Sequence, residues 1–117
     1  MGKGTVAETH PLSPGIVGYF MGRGGRTHAL RDLVTKTDVV VLIGNRTNQN
    51  GTDSWQLYPH SARVIHLDID GLEVGRNYEA AVRLVGDARL GIEALRGALL
   101  GQDLKKRKAA PKKAQRK

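Results

Sequence analysis

Val39 to Ile43 is a run of five apolar, mostly β-branched residues closed by Gly44. A run apolar on both faces predicts a strand of a parallel sheet covered on both sides. Two shorter runs follow, Val64 to Leu67 and Val82 to Val85. After the last of them Asp87 stands at an N-cap position. Leu90, Ala94, Leu95, Ala98 and Leu99 then mark the apolar face of a helix over about 88–100. Asp70 and Glu73 have the spacing of a capping box, which predicts a short helix before the third strand. Upstream, Ser13-Pro14 is a helix-start signal for a short helix over roughly 13–20. Thr27 can cap a helix running through about Lys36, with Leu30, Leu33 and Val34 on one stripe. Between them Gly22-Arg23-Gly24-Gly25-Arg26 is a loop, and Asn45 to Pro59 is a polar loop with a helical turn expected around Asp53 to Leu57. Strand, loop, strand, short helix, strand, helix reads as half of an open α/β parallel sheet, about three strands with flanking helices.

The 117 residues suffice for one domain. Only five are aromatic, so the core is aliphatic. The absence of cysteine excludes a disulfide scaffold, a thiolate metal site and a cysteine nucleophile. No apolar run approaches the length of a membrane span, and Met1 to Thr5 lack the apolar stretch of a signal peptide, which together lead to the expectation of a cytoplasmic protein. The net charge of +8 is unevenly placed. Residues 105–117 hold 8 of the 19 basic residues and none of the 11 acids, so residues 1–104 are neutral. The chain therefore divides into a body, 1–104, and a Lys/Arg-rich tail, 105–117. The tail has no apolar residue larger than alanine and is expected to be disordered.

Two groups of residues could carry chemistry. Gly22, Gly24 and Gly25, with Arg23 and Arg26, precede a predicted helix and could cradle a phosphate; no strand leads into them as a dinucleotide fingerprint requires, and the alternative is a flexible loop. His66, Asp68 and Asp70 alternate, which on a strand turns them to one face. A carboxylate at a strand's C-terminal end is where such folds hold a ribose, and the alternative is that Asp70 caps a helix while Asp68 accepts from loop amides. The spacings of His10, His28, His60 and His66 match no metal-ligand pattern. Ser13, Ser54 and Ser61 stand in no nucleophile elbow. No catalytic residue is assigned.

Four blocks carry a resemblance. Gly2-Lys3-Gly4 followed by His10-Pro11-Leu12, Gly15 and Gly18 is similar to a GKG…HPL…G…G run in the central domain of thiamine-diphosphate-dependent enzymes. Thr37-Asp38 through Gly44 and Arg46 resembles that domain's AD-apolar-G-x-R strand, Val64 to Asp70 its IHIDID, and Leu84-Val85-Gly86-Asp87 its IVGD before the last helix. The pattern resembles that of acetolactate synthase large subunits in particular. The resemblance covers about 2–100 and implies a Rossmann-like sheet of six strands, of which this chain carries the last three: a fragment, a truncated product or one piece of a split protein.

In that family thiamine diphosphate and Mg2+ serve ligation or decarboxylation of 2-oxo acids, on domains that would lie upstream and downstream. The chain alone is then expected neither to bind thiamine diphosphate nor to catalyse. Its partners would be the remaining domains or subunits of such an enzyme, and the unpaired edge at Val39 to Ile43 would favour marginal stability or a homo-oligomer. In flavin-containing members the segments matching Gly25 to Arg46 and Asp68 to Asp87 line FAD, which implies FAD or another adenine nucleotide against Gly22, Gly24, Gly25, Arg46, Asp68, Asp70 and Asp87. The family's His-Gly opening is absent here, and its acidic residues after the arginine are replaced by Thr47-Asn48-Gln49-Asn50.

The alternative reading is a small basic nucleic-acid-binding protein acting through the tail, and a third is a stand-alone nucleotide-binding module. No aromatic interleaves the tail's charges, so it offers no base stacking. Eight positive charges can engage duplex DNA by counterion release, with a log–log salt slope as steep as about −7. Binding near 0.15 M salt is expected to be weak, without sequence preference, and lost on deleting 105–117. Filter binding across a salt series checks this, and tight sequence-selective binding by the 1–104 truncation would overturn it.

Overall fold

In a computed structural model the described residues are 4–15, 21, 24–25 and 28–103. Gly22, the Thr27 cap, residues 16–20 of the expected first helix and the basic tail lie outside them. The described residues fall into two compact units, one drawn from 1–38 and 47–61, the other from 39–46 and 62–110.

In the first unit the helix expected over 27–36 is shorter. A 3-10 turn, His28–Leu30, leads into a single α-helical turn, α1, Arg31–Val34. Thr35 Oγ1 joins Thr35 N on Arg31 O at 2.9 Å, and at the helix end Thr37 Oγ1 and Thr37 N both close on Val34 O, at 2.8 and 3.2 Å, the carbonyl a longer helix would offer to residue 38. Ser13 to Gly15 are not helical. Met21, Leu57 and Tyr58 are buried in this unit, together with Thr47 and Thr52.

The helical turn expected around Asp53 to Leu57 is also absent. A 3-10 turn at Asn50–Thr52 gives way to three left-handed residues, Asp53, Ser54 and Trp55, with φ of 49°, 53° and 63°. Each such non-glycine residue costs roughly 1–2 kcal/mol. Side chains hold the run: the Trp55 indole N–H donates to Thr47 O at 2.7 Å, Thr52 Oγ1 accepts from Trp55 N at 3.1 Å, and Asp53 pairs with Arg31.

The second unit is a three-stranded parallel sheet in the order β1, β2, β3. Its strands are β1, Val39–Ile43, β2, Arg63–Asp68, and β3, Ala80–Val85, with α2, Ala88–Leu100, after the last. The α/β parallel architecture read from the sequence is the one observed. β1 pairs regularly, Val40 beside Val64 and Leu42 beside His66. β3 pairs through an irregularity between Val64 and Ile65.

One face of the sheet carries Val40, Leu42, Val64 and His66, all buried. The β2–β3 connection packs here: Val74 and Tyr78 are buried, and Arg83 donates to Val74 O at 2.7 Å. The capping-box spacing at Asp70 and Glu73 opens no helix in this connection. Asp70 Oδ1 instead accepts from Leu72 N at 2.9 Å in a local turn, and Glu73 pairs with Arg76.

The other face differs from expectation. Val39, Val41 and Ile43 remain 47, 46 and 38 % exposed, so β1 is covered on one side, not on both. α2 meets this face over β2 at a glycine. A methyl group on Gly91 would overlap Leu67 Cδ2 and lie 3.0 Å from Cδ1, so only glycine lets the helix approach this closely. Leu95 and Leu99, on the apolar face of the helix, stay partly exposed and with Ile92, Arg96 and Leu100 line a shallow apolar groove. No helix among the described residues is long and apolar enough to cross a membrane.

Gly91→Val should destabilise the fold by about 1–3 kcal/mol, because Leu67 is buried and must move to admit the new side chain. Urea denaturation measures this; an unchanged midpoint would contradict the close approach of α2.

Candidate functional site

The C-terminal ends of the three strands lie side by side. Gly44 N donates to Leu67 O and Gly86 N donates to Asp68 O, both at 2.9 Å, so the first residue beyond β1 and the first beyond β3 are tied to the end of β2. In open α/β sheets this end of the strands is where ligands bind. Arg46 follows β1, Asp68 ends β2, Asp70 lies in the turn beyond it, and Asp87 follows β3. Four of the seven residues singled out from the sequence thus share one end of one sheet. Gly24 and Gly25 belong to the first unit. Gly24 is left-handed at φ 80°, and Gly25 O accepts from His28 N at 3.2 Å in the turn before the 3-10 helix. The helix after this loop is too short to build the dipole that a phosphate cradle would use.

Each carboxylate has one oxygen taken by a main-chain amide. Asp68 Oδ1 accepts from Asp70 N at 2.9 Å, Asp70 Oδ1 from Leu72 N at 2.9 Å, and Asp87 Oδ2 from Leu90 N at 3.0 Å. Each carboxylate keeps its second oxygen as an acceptor for a ligand hydroxyl. β2 ends at Asp68, so Asp70 is not on the strand face as the alternation implied. Asp68 is buried while Asp70 is exposed.

Gly44 has φ 59°, and nothing lies within 4 Å of the place where a side chain would begin, there or at Gly86. The backbone at the ends of β1 and β3 is therefore bare, as close approach by a ligand requires. Among the described residues no group of three or more His, Asp or Glu side chains is arranged to hold a metal ion.

Two side chains outside those seven organise this end of the sheet. His66 is 1 % exposed; its Nε2 lies 2.8 Å from Asn45 O, and its Nδ1 accepts from Gly75 N at 3.1 Å. Asn77 Nδ2 donates to Arg46 O at 3.4 Å. The alternation of His66 with Asp68 was the only signal in the sequence, and it does not reveal partners 21 and 31 residues away.

Residues 1–95 match the model of the thiamine pyrophosphate enzyme central domain. The chain belongs to that family. It is 37 % identical over 105 residues to a probable acetolactate synthase large subunit of Methanocaldococcus jannaschii, covering 90 % of this chain and 17 % of that protein. It is 44 % identical over 89 residues to an acetolactate synthase of Arthrospira platensis, covering 76 % of this chain and 15 % of the other. An acetolactate synthase large subunit of Corynebacterium glutamicum is 34 % identical over 89 residues, or 76 % of this chain and 13 % of that one. This thiamine pyrophosphate enzyme central-domain chain thus spans about a sixth of the length of the relatives it matches. The match contains all three strands and ends within α2, so the bare strand ends lie wholly inside the family domain.

At Asp87 a capping role and a ligand role can be separated. Asp87→Ala should cost about 0.5–2 kcal/mol through loss of the α2 cap, and Asp87→Asn should cost much less because its side-chain oxygen still accepts from Leu90 N. Thermal melts followed by circular dichroism compare the two. Equal losses would show that the charge, not the cap, matters.

Proposed function

We propose that this chain is the part of a thiamine-diphosphate-dependent 2-oxo-acid carboligase or decarboxylase, of the acetolactate synthase type, that joins the thiamine-binding domains and holds an adenine nucleotide. The reading is supported by family membership and by identity to acetolactate synthases over most of the chain. The thiamine chemistry belongs to segments that would carry the pyrimidine- and diphosphate-binding motifs, on this polypeptide or another. Among the described residues no group of three or more acidic or histidine side chains is arranged to hold a metal ion, so Mg2+ is assigned to those segments. Those thiamine-binding domains or subunits are the working partners proposed here, and a homo-oligomer is the proposed assembly.

The nucleotide part of the proposal rests on one observation: bare backbone at Gly44 and Gly86 on either side of Asp68, at the ligand-binding end of a parallel sheet. FAD or ADP would present a diphosphate and ribose hydroxyls there. Arg46 would take the diphosphate, because its guanidinium is a permanent cation with paired donors. Asp68 or Asp70 would accept from a ribose hydroxyl through the oxygen left over from its turn.

Arg46→Ala should weaken ADP or FAD binding about tenfold or more, the size expected for losing a charge-assisted hydrogen bond of roughly 1.5–3 kcal/mol. Titration calorimetry on both proteins reads this. Equal affinities would remove Arg46 from the site, and no binding by either would leave the domain a joining role only.

A further inference from the structure

We infer that His66 and Asn77 are positioning residues that set the backbone bearing Arg46. The ligand side of this inference rests on the nucleotide reading above, whereas the geometry stands on its own. After the left-handed turn at Gly44, residues 45 and 46 have no regular secondary structure, so no ladder fixes their carbonyls. Both carbonyls are held by side chains instead. His66 takes Asn45 O and Asn77 takes Arg46 O, two successive acceptors, one immediately before the arginine and one its own.

The His66 ring can do this in one tautomer only. Gly75 N–H points at Nδ1, which must accept; the ring proton is therefore on Nε2, which donates to Asn45 O. The imidazole thus clamps the end of β1 to the β2–β3 connection. Asn77 comes from the same connection, so both restraints on the Arg46 backbone share one anchor. A histidine that merely filled the core would need two partners, but any two would serve. Here the second restraint comes from an exposed asparagine, which has no core to fill. The two differ in strength. The bond from buried His66 is 2.8 Å and the bond from exposed Asn77 is 3.4 Å, at the long end for an amide donor, so His66 carries the larger share.

The experiment uses the full chain with Asn77→Ala and His66→Phe, which keeps a ring and removes both bonds. Amide hydrogen exchange is measured across 44–48 and across β2 and β3. Faster exchange over 44–48 is expected, several-fold for Asn77→Ala and tenfold or more for His66→Phe, with the strand amides unchanged in Asn77→Ala. Unchanged loop exchange in both variants overturns the inference. So does faster exchange spread evenly over the strands in Asn77→Ala, the surface variant that should fold whatever His66→Phe does. Calorimetry with ADP adds a second readout. Each variant should weaken ADP binding when Arg46 is present and have little further effect in an Arg46→Ala background; additive losses would mean that the residues do not act through Arg46. If the wild-type chain takes no ADP, the nucleotide reading fails, and the exchange measurement alone decides the positioning role.

Discussion

The parallel pairing of β2 with both neighbours is the constraint on which the second unit depends. Parallel strands cannot be joined by a tight turn, so each connection must leave one end of the sheet and return to the other. All three C-terminal ends are thereby gathered at one edge, and whatever follows each strand is delivered there. Gly44 and Gly86 donate to carbonyls at the end of β2, which extends the ladder one residue past the strands and fixes where the loops begin. The candidate residues are close in space because of this pairing, not because any of them attract one another.

The same pairing explains why the candidate carboxylates look ordinary in isolation. Asp68, Asp70 and Asp87 each serve a turn or a cap, and each would be accounted for by local structure alone. What marks the place is the surrounding backbone. Glycine follows both outer strands directly, and the loop after β1 is restrained by side chains from the β2–β3 connection. A structural duty and a ligand duty are compatible here because a carboxylate has two oxygens and each turn uses one.

What was legible in the sequence follows from where local signals decide. β1 was read to the residue, since five apolar β-branched or branched residues before a glycine admit few alternatives, and α2 was read with its cap, since Asp87 and the apolar spacing agree. The family was legible from four short blocks in order, each too weak alone. The failures lie where distant partners overrule local preference. The Asp53 to Trp55 run is left-handed because an indole reaches back eight residues and an arginine reaches over from α1. The helix before it stops early where the Thr37 hydroxyl and amide close on Val34 O. The Asp70–Glu73 spacing lacks a helix because the connection is held from outside, at Gly75 by His66 and at Val74 by Arg83. The roles of His66 and Asn77 were invisible for the same reason.

The order of the strands along the chain also has a consequence in time. Val39 in β1 pairs with Arg63 in β2, so a ribosome completes the apolar run well before its partner exists. At roughly 5–20 residues per second, the interval is on the order of one to a few seconds. Throughout it Val39 to Ile43 lacks β2 beside it and has no charge within it to discourage another nascent chain. The most regular strand of the finished sheet thus emerges from the ribosome ahead of its partner, an apolar segment that a chaperone recognising short apolar stretches could hold in that interval.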